Sequence, residues 1–200
     1  HKAEFANTEL LLLVEELLED QLLIDLNIFT EASSKRMNDR NFIEELVAYL
    51  KHGIQDKKKI IEQMYKEGIS PNESEELKEK FKSVIEKIGE LNKVVPISKT
   101  RLKQKNDFYT LFNFIDKHSD LNIEVLRNQY ESFLFFAKYI SPSTHECPPL
   151  KEYAINCVSQ SNSKNARLGR LTFFEEVLCN TNSNEKGNKV VSQIMDYIES

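Results

Sequence analysis

The sequence predicts an all-α fold, an irregular bundle or array of about eight or nine helices. Apolar residues recur at the 3.6-residue spacing of amphipathic helices, and no segment alternates in the manner of a half-buried strand. Only five glycines and five prolines occur in 200 residues, fewer than the turns of a β fold would need. A hydrophobic content of 40% with 30% charged residues is ordinary for a folded domain.

The apolar stripes of the first half predict four helices. The expected segments are residues 7–26, 38–53, 54–68 and 72–95. Asn7 is a suitable N-cap for the first helix, and Asn38 or Asp39 for the second. Gly53 and Gly68 stand where helices commonly end. The third helix is followed by the break Ser70-Pro71-Asn72, and the fourth is expected to be capped at Asn72 or Ser74.

The second half predicts five more helices with two longer loops. The expected helices are residues 108–118, 123–140, 150–160, 166–179 and 188–198. Residues 141–149 and 180–187 are the loops expected to be most mobile. We expect residues 1–95 and 96–200 to be two helical parts of one packed unit. Because the chain begins at His1 and not at methionine, we expect a tag remnant or an excised fragment of a larger protein.

The core is predicted from the residues that lie on the apolar stripe of each helix. These are Leu13, Leu17, Phe42, Leu46, Leu50, Ile61, Phe81, Ile85, Leu111, Phe112, Leu126, Leu134, Leu171 and Phe174. The run Phe133 to Phe136 is likewise expected to be core or a buried contact between helices.

Charge and cysteine usage narrow the functional classes. The net charge is −5, and the excess of acid falls in residues 1–100, so an extended polycationic surface is not expected. No apolar run approaches the roughly 18 residues that would cross a bilayer. Three cysteines without a close CxxC pair favour reduced thiols in a cytoplasmic protein. We expect no membrane association and no cofactor.

The residues offer little catalytic chemistry. His145, Cys147 and Cys157 are the nearest approach to a metal or thiol site, but zinc needs paired close spacings, and loop residues with a buried thiol are the favoured interpretation. The HxxP spacing at His145 lacks the strand and partner residues of a ββα-metal nuclease. The acids between Glu15 and Asp25 lack the Glu-x-x-His partners of a di-iron bundle and are expected to form a solvated helix face.

Two basic clusters are the candidate contacts with phosphate or nucleic acid. Their members are Lys99, Arg101, Lys103, Lys105, Lys164, Arg167 and Arg170. The second cluster flanks Ser161-Asn162-Ser163, a plausible helix N-terminus where backbone N–H groups could bind an anion. Aromatic residues follow the first cluster, and could stack on bases or form core. A solvated basic surface is the alternative for both clusters.

Several segments resemble the helical region of a bacterial defence family. They are Lys35-Arg36-Met37-Asn38-Asp39 with the helix that follows it, the segment Gly53 to Lys59 with Met64-Tyr65, Asn106 to Phe112, and Asn165 to Leu171. These segments are similar to the GmrSD-type restriction proteins, in which a helical region follows a ParB/sulfiredoxin-like domain. The family's Asp-Gly-Gln-Gln-Arg nucleotide motif and its C-terminal nuclease motif are not in this chain, so no active-site residue is transferred.

The resemblance implies a non-catalytic scaffold or interaction domain of a restriction or phage-defence protein. Such a domain would contact a protein partner or a catalytic domain of the same protein, and would itself hydrolyse nothing. A nucleic-acid-contacting helical module that uses the two basic clusters is the alternative. An enzyme that uses Cys147 or His145 is a more distant third.

Overall fold

A computed structural model describes residues 8–29, 36–179 and 189–200. Within these ranges the chain forms ten α-helices, two short 3-10 turns and no strand, which confirms the all-α prediction. The helices are α1 (Thr8–Leu18), α2 (Gln21–Asp25), α3 (Arg36–His52), α4 (Lys57–Glu67), α5 (Pro71–Val94), α6 (Lys105–Lys117), α7 (Ile123–Ala137), α8 (Pro148–Val158), α9 (Lys164–Leu178) and α10 (Lys189–Glu199). The 3-10 turns, Ile97–Lys99 and Arg101–Lys103, join α5 to α6.

The first predicted helix is two helices, and Asp20 is the cause. Its side chain accepts hydrogen bonds from the backbone N–H groups of Leu22 and Leu23, which start α2 after α1 has ended at Leu18. An Asp that caps a new helix competes with continuation of the preceding one, because its carboxylate satisfies backbone donors locally. The apolar stripe continues across the break, so periodicity alone predicted a single helix.

Helix α5 begins with a capping box. Ser70 Oγ accepts from the Glu73 N–H, and Glu73 Oε2 accepts from the Ser70 N–H at 2.9 Å. Pro71 occupies the first helical position, where its missing N–H removes no intrahelical bond. The N-cap of α5 is therefore Ser70, and the prediction of Asn72 or Ser74 is wrong.

The predicted glycine ends of two helices are confirmed. Gly53 after α3 has φ of 71° and Gly68 after α4 has φ of 69°, the left-handed region that glycine enters without a Cβ penalty. Gly53 N–H closes α3 on the carbonyl of Tyr49 at 2.7 Å. Helix α3 starts earlier than predicted, at Arg36, and α4 starts later, at Lys57, because Gly53 to Asp56 form the connection.

Helix α6 lies at the centre of the molecule. Every residue from Asp107 to Ile115 is buried, and α6 packs against α3, α5 and α9. One hydrophobic cluster extends from Leu10 to Ile194, so the core is continuous across Pro96. The two halves of the sequence share this core through α6.

The predicted core is confirmed by burial. Eleven of the fourteen predicted residues are buried, and Leu50, Ile61 and Leu134 are partly buried against the same cluster. The expectation for Phe135 is wrong, since its side chain is exposed while Phe133 and Phe136 point inward. Of the two loops expected to be mobile, residues 180–187 lie outside the described residues. No helix in the described ranges has the length and apolar character to cross a membrane.

Candidate functional site

Arg167 is an interior residue, and the expectation that it lies on an accessible basic face is corrected. Its side chain is 2% exposed. One terminal nitrogen is paired with Glu45 Oε1, and the other donates to the Gln55 carbonyl and to Tyr109 OH, each at 3.1 Å. The guanidinium also lies 4.3 Å from the centre of the Tyr109 ring. All of these partners belong to the chain itself, so Arg167 joins α9 to α3 and α6.

Glu45 is shared between two cations. Its Oε2 lies 2.6 Å from Lys57 Nζ, while Oε1 pairs with Arg167. We call Glu45, Lys57 and Arg167 the Glu45 cluster. One buried carboxylate thus faces two positive groups, and the cluster carries a net positive charge. A buried carboxylate with strong partners on both oxygens is the arrangement in which an interior charge is tolerated.

Arg170 is also interior, at 1% exposure, and its assignment to phosphate contact is corrected in the same way. Its guanidinium donates to the Asn156 carbonyl, to the Ser161 carbonyl at 3.0 Å and to Thr110 Oγ1 at 3.1 Å. Asn156 belongs to the last turn of α8, where carbonyls lack intrahelical donors and attract cations. Arg170 therefore acts as a C-terminal cap for α8.

Arg101, from the first basic cluster, forms an ion pair with a buried carboxylate. Its Nε lies 2.9 Å from Asp107 Oδ1, and Tyr153 OH donates to the same oxygen at 2.6 Å. Asp107 is completely buried. Arg101 Nη2 also approaches Cys157 Sγ at 3.7 Å. Arg101 Nη2 lies 3.3 Å from Asp107 Oδ2, so both carboxylate oxygens are used. These contacts fix the start of α6 against α8.

Four lysines of the two basic clusters are exposed. They are Lys99, Lys103, Lys105 and Lys164. Lys105 Nζ donates to the Asn38 carbonyl at 2.9 Å and lies 5.5 Å from the Phe42 ring centre, so it also holds the start of α6 to α3. Contact of these lysines with phosphate or nucleic acid stays a prediction.

The predicted helix N-terminus at residues 161–163 exists and already has an acidic partner. Ser163 Oγ accepts from the Ala166 N–H at 3.2 Å, which caps α9. The Lys164 N–H donates to Asp56 Oδ1 at 2.8 Å, so a carboxylate of this chain occupies the place expected for an external anion. In return the Lys57 N–H donates to the Asn162 carbonyl at 3.0 Å.

A surface cleft of about 520 Å³ lies between α3 and α4, above the Glu45 cluster. We call it the α3–α4 cleft. Its lining residues are Asn41, Glu44, Lys57, Lys58, Ile61, Glu62, Tyr65 and Asn162. Glu44 is buried in its wall and accepts a hydrogen bond from Tyr65 OH at 2.9 Å. Burial raises the pKa of Glu44, opposed by the Tyr65 hydrogen bond and the charge of Arg40. Perturbed carboxyl groups of this kind concentrate at binding and catalytic sites.

The thiols and His145 do not converge. Cys147, Cys157 and Cys179 are all unpaired, and burial raises the pKa of Cys157 to about 11, with Asp107 adding to the effect. A thiol with a raised pKa is protonated near neutral pH and is a poor nucleophile. His145 is exposed, with Nδ1 2.9 Å from Lys151 Nζ. In the part of the chain that the structure describes, no three His, Cys, Asp or Glu side chains are grouped to hold a metal ion.

Glu45, Asp56 and Asp107 are the important polar residues that sequence reasoning missed. A signal for Glu45 was present, because it lies three residues after Phe42 and four before Tyr49, on the apolar stripe of α3. An acid on such a stripe indicates an interior partner. Asp107 stands one residue before the aromatic run in the same way. Nothing local indicates that Asp56, which precedes a lysine-rich helix, bonds to α9 instead.

Comparison with protein-family models, with curated proteins and with solved structures gives no match. The resemblance to the helical region of GmrSD-type proteins stays a prediction.

Proposed function

We propose that this chain is a non-catalytic helical scaffold and interaction domain of a cytoplasmic bacterial restriction or phage-defence protein. The observation that carries the interaction role is the exposure of large apolar side chains on the first three helices. Leu12, Ile24 and Met37 are each at least half exposed, and Leu22 is 41% exposed. A groove of about 560 Å³ between α1 and the start of α3 lies beside Met37. Exposed apolar residues that form one patch are typical of protein contact surfaces, and the proposal takes these four side chains to form such a patch.

The scaffold role rests on how the buried polar groups are used. Glu45, Asp107, Arg167 and Arg170 all bind other parts of the same chain. Such contacts fix the relative positions of helices, which is what a domain that positions a partner requires. The segment that resembles the defence family, residues 35–39, contains the exposed Met37.

The test is phage protection in cells that express the full-length gene. Met37→Glu and Leu12→Glu place a charge on the proposed contact surface, and Leu168→Glu places one on the exposed part of α9 as a matched control. We expect the first two variants to lose protection and co-purification with their partner, while the control keeps both. Thermal unfolding of the three purified chains verifies that each is folded. Full protection by Met37→Glu and Leu12→Glu would contradict the proposal.

The second candidate is a nucleic-acid contact, favoured by the exposure of Lys99, Lys103 and Lys164. Each phosphate contact that a lysine makes adds roughly −0.9 to the slope of log K against log salt for duplex DNA. We expect, on this alternative, that the triple Lys→Gln variant weakens binding to any sequence and lowers the slope by about 3. A slope that the triple variant leaves unchanged would eliminate these lysines as the contact.

The expectation that this chain hydrolyses neither nucleic acid nor nucleotides is tested directly. Purified chain is incubated with Mg²⁺ or Mn²⁺ and plasmid DNA, and separately with GTP and ATP. We expect no hydrolysis above a buffer control. Hydrolysis that survives repurification and disappears in His145→Ala or Lys164→Ala would favour an enzyme instead. These two positions are exposed, so their replacement leaves the buried contacts intact.

A further inference from the structure

The α3–α4 cleft has the form of a small-molecule site. Its volume of about 520 Å³ falls within the range of about 300–1,000 Å³ typical of ligand pockets. Ile61 and the Tyr65 ring give it an apolar side, and the Asn41 and Asn162 amides give it uncharged donors and acceptors.

The charge beneath the cleft is positive. Lys57 Nζ lies at the cleft wall, 2.6 Å from Glu45, which also neutralises Arg167. One carboxylate cannot balance both cations. Within the same cluster, Nε of Arg167 is buried and has no hydrogen-bond partner among the described residues. A further anion near Lys57 would therefore face two cations that share one carboxylate, in partly desolvated surroundings where Coulomb attraction is strong.

The start of α4 adds to the positive electrostatic potential at the cleft. Lys57, Lys58 and Lys59 form its first turn, and no acidic residue stands there. Asp56, the residue before the helix, makes no side-chain cap to α4, because its carboxylate accepts from the Lys164 N–H of α9. Three lysines at the positive end of a helix repel one another and the dipole, and an anion relieves that repulsion.

Three further acidic side chains lie near the cleft, and each has a partner of its own. Asp56 accepts from the Lys164 N–H at 2.8 Å. Glu62 lies at the rim, 3.9 Å from Lys58, and both side chains are well exposed, so their attraction is weak. Glu44 is buried in the wall and bound to Tyr65 OH. The basic end of the cleft, at Lys57, Lys58 and Asn162, is thus distinct from the end formed by Glu44 and Tyr65.

We propose that the α3–α4 cleft binds a phosphomonoester that carries a flat apolar group. The phosphate lies between Lys57, Lys58 and the first turn of α4, and the apolar group packs on Ile61 and Tyr65. Lysine suits the phosphate as a point charge, and the helix start supplies backbone N–H donors beyond that of Lys57, which donates to the Asn162 carbonyl. This site goes beyond the proposed scaffold role and does not depend on it.

The test is a titration of the full chain followed by amide chemical shifts in two-dimensional NMR. Phenyl phosphate is the probe, and inorganic phosphate and phenol are the comparison ligands. We expect phenyl phosphate to saturate the shifts of Lys58, Ile61 and Asn162, to bind more tightly than inorganic phosphate, and phenol to cause no saturable change. Shift changes that also occur at Lys99 and Lys103 and do not saturate at the cleft would indicate unspecific ion binding. That result would overturn the proposal.

Two variants identify the binding residues. Lys58→Gln removes an exposed charge at the cleft, and Lys66→Gln removes one at the far end of the same helix. We expect Lys58→Gln to weaken phenyl phosphate about tenfold, the loss of one charge-assisted contact, and Lys66→Gln to leave it unchanged. Equal weakening by both variants, or none by Lys58→Gln, would refute the site. An unchanged amide spectrum outside the cleft verifies the fold of each variant.

Discussion

Glu45 is buried and binds two cations, Arg167 in the interior and Lys57 at the wall of the α3–α4 cleft, each through a different oxygen. Removal of this carboxylate leaves Arg167 buried with its charge uncompensated, while the guanidinium keeps only its bonds to Gln55 and Tyr109. Buried charges without a partner are among the most destabilising changes in a protein interior. The destabilisation comes from the lost side-chain contacts of Glu45 alone, because its removal breaks no helix.

We therefore expect Glu45→Ala to lower the free energy of unfolding by about 3–5 kcal/mol. Glu62→Ala, at the exposed rim of the α3–α4 cleft, is the control and is expected to change it by less than about 0.5 kcal/mol. Urea denaturation followed by circular dichroism measures both. The double variant Glu45→Met with Arg167→Met is expected to lose less than Glu45→Ala alone, because no unpaired charge remains. A double variant that is less stable than Glu45→Ala would contradict this account.

Single residues also show what the sequence could and could not predict. Arg167 and Arg170 occur in a polar segment next to Ser161 to Ser163, where a basic surface was the natural expectation. Their burial depends on Glu45 and Thr110, which lie 122 and 60 residues away. Local pattern contains no information on such distant partners. Phe42 and Leu111, in contrast, follow a stripe that any helix of that phase must bury.

At the scale of the helix, α5 depends on its capping box and on Lys51. The pKa of Glu73 is lowered to about 2, first by the hydrogen bond from the Ser70 N–H and then by Lys51, whose Nζ lies 3.0 Å away. A lowered pKa in the folded state means that the charged form stabilises the fold. This contribution is complete above the ordinary pKa of 4.5 and is lost as the pH falls from there towards 2.

We expect Glu73→Gln to lower the melting temperature at pH 6 and to have progressively less effect as the pH falls below about 4.5. Glu79→Gln, which changes an exposed acid further along α5, is the matched control. Melting temperatures at several pH values between 6 and 3 give the comparison. A difference between Glu73→Gln and the native chain that stays constant over this range would show that the carboxylate charge is not what stabilises α5.

Replacement of glycine by alanine is expected to have opposite effects on stability at two positions. A Cβ at Gly89, inside α5, would meet nothing within 4 Å, so Gly89→Ala is expected to raise stability by about 0.5–1 kcal/mol. Gly53 has φ of 71°, and Gly53→Ala is expected to lower stability by about 1 kcal/mol. Chemical denaturation of both variants measures the difference. Stabilisation at both positions would contradict the conformation assigned to Gly53.

At the scale of the whole molecule, α6 makes the two halves of the chain depend on each other. It packs against α3 and α5 from the first half and α9 from the second, and its middle residues are all buried. The sequence predicted most of these helices and their buried faces, since both follow from periodicity. It could not predict that α6 would be central, because several helices have stripes of comparable quality. Only the mutual packing decides which one is surrounded.

This arrangement predicts one cooperative unfolding transition. In hydrogen exchange with increasing denaturant, we expect the slowest amides of α3 and of α9 to converge on the same opening free energy. Mass spectrometry of peptides from each helix gives the values. Protection of residues 105–178 that persists after residues 36–94 have lost theirs would show instead that the halves unfold separately.

The reciprocal bonds between Asp56 and Lys164 and between Lys57 and Asn162 also have a consequence for synthesis. The Asp56 contact spans 108 residues of chain. At roughly 5–20 residues per second, a ribosome needs on the order of 5–20 s to complete that interval. Throughout it, α4 has no α9 beside it and is held to α3 by the Lys57–Glu45 ion pair, the Tyr65–Glu44 hydrogen bond and apolar contacts. During synthesis, the hydrogen bonds between the start of α4 and the start of α9 can therefore form only after α9 has been made.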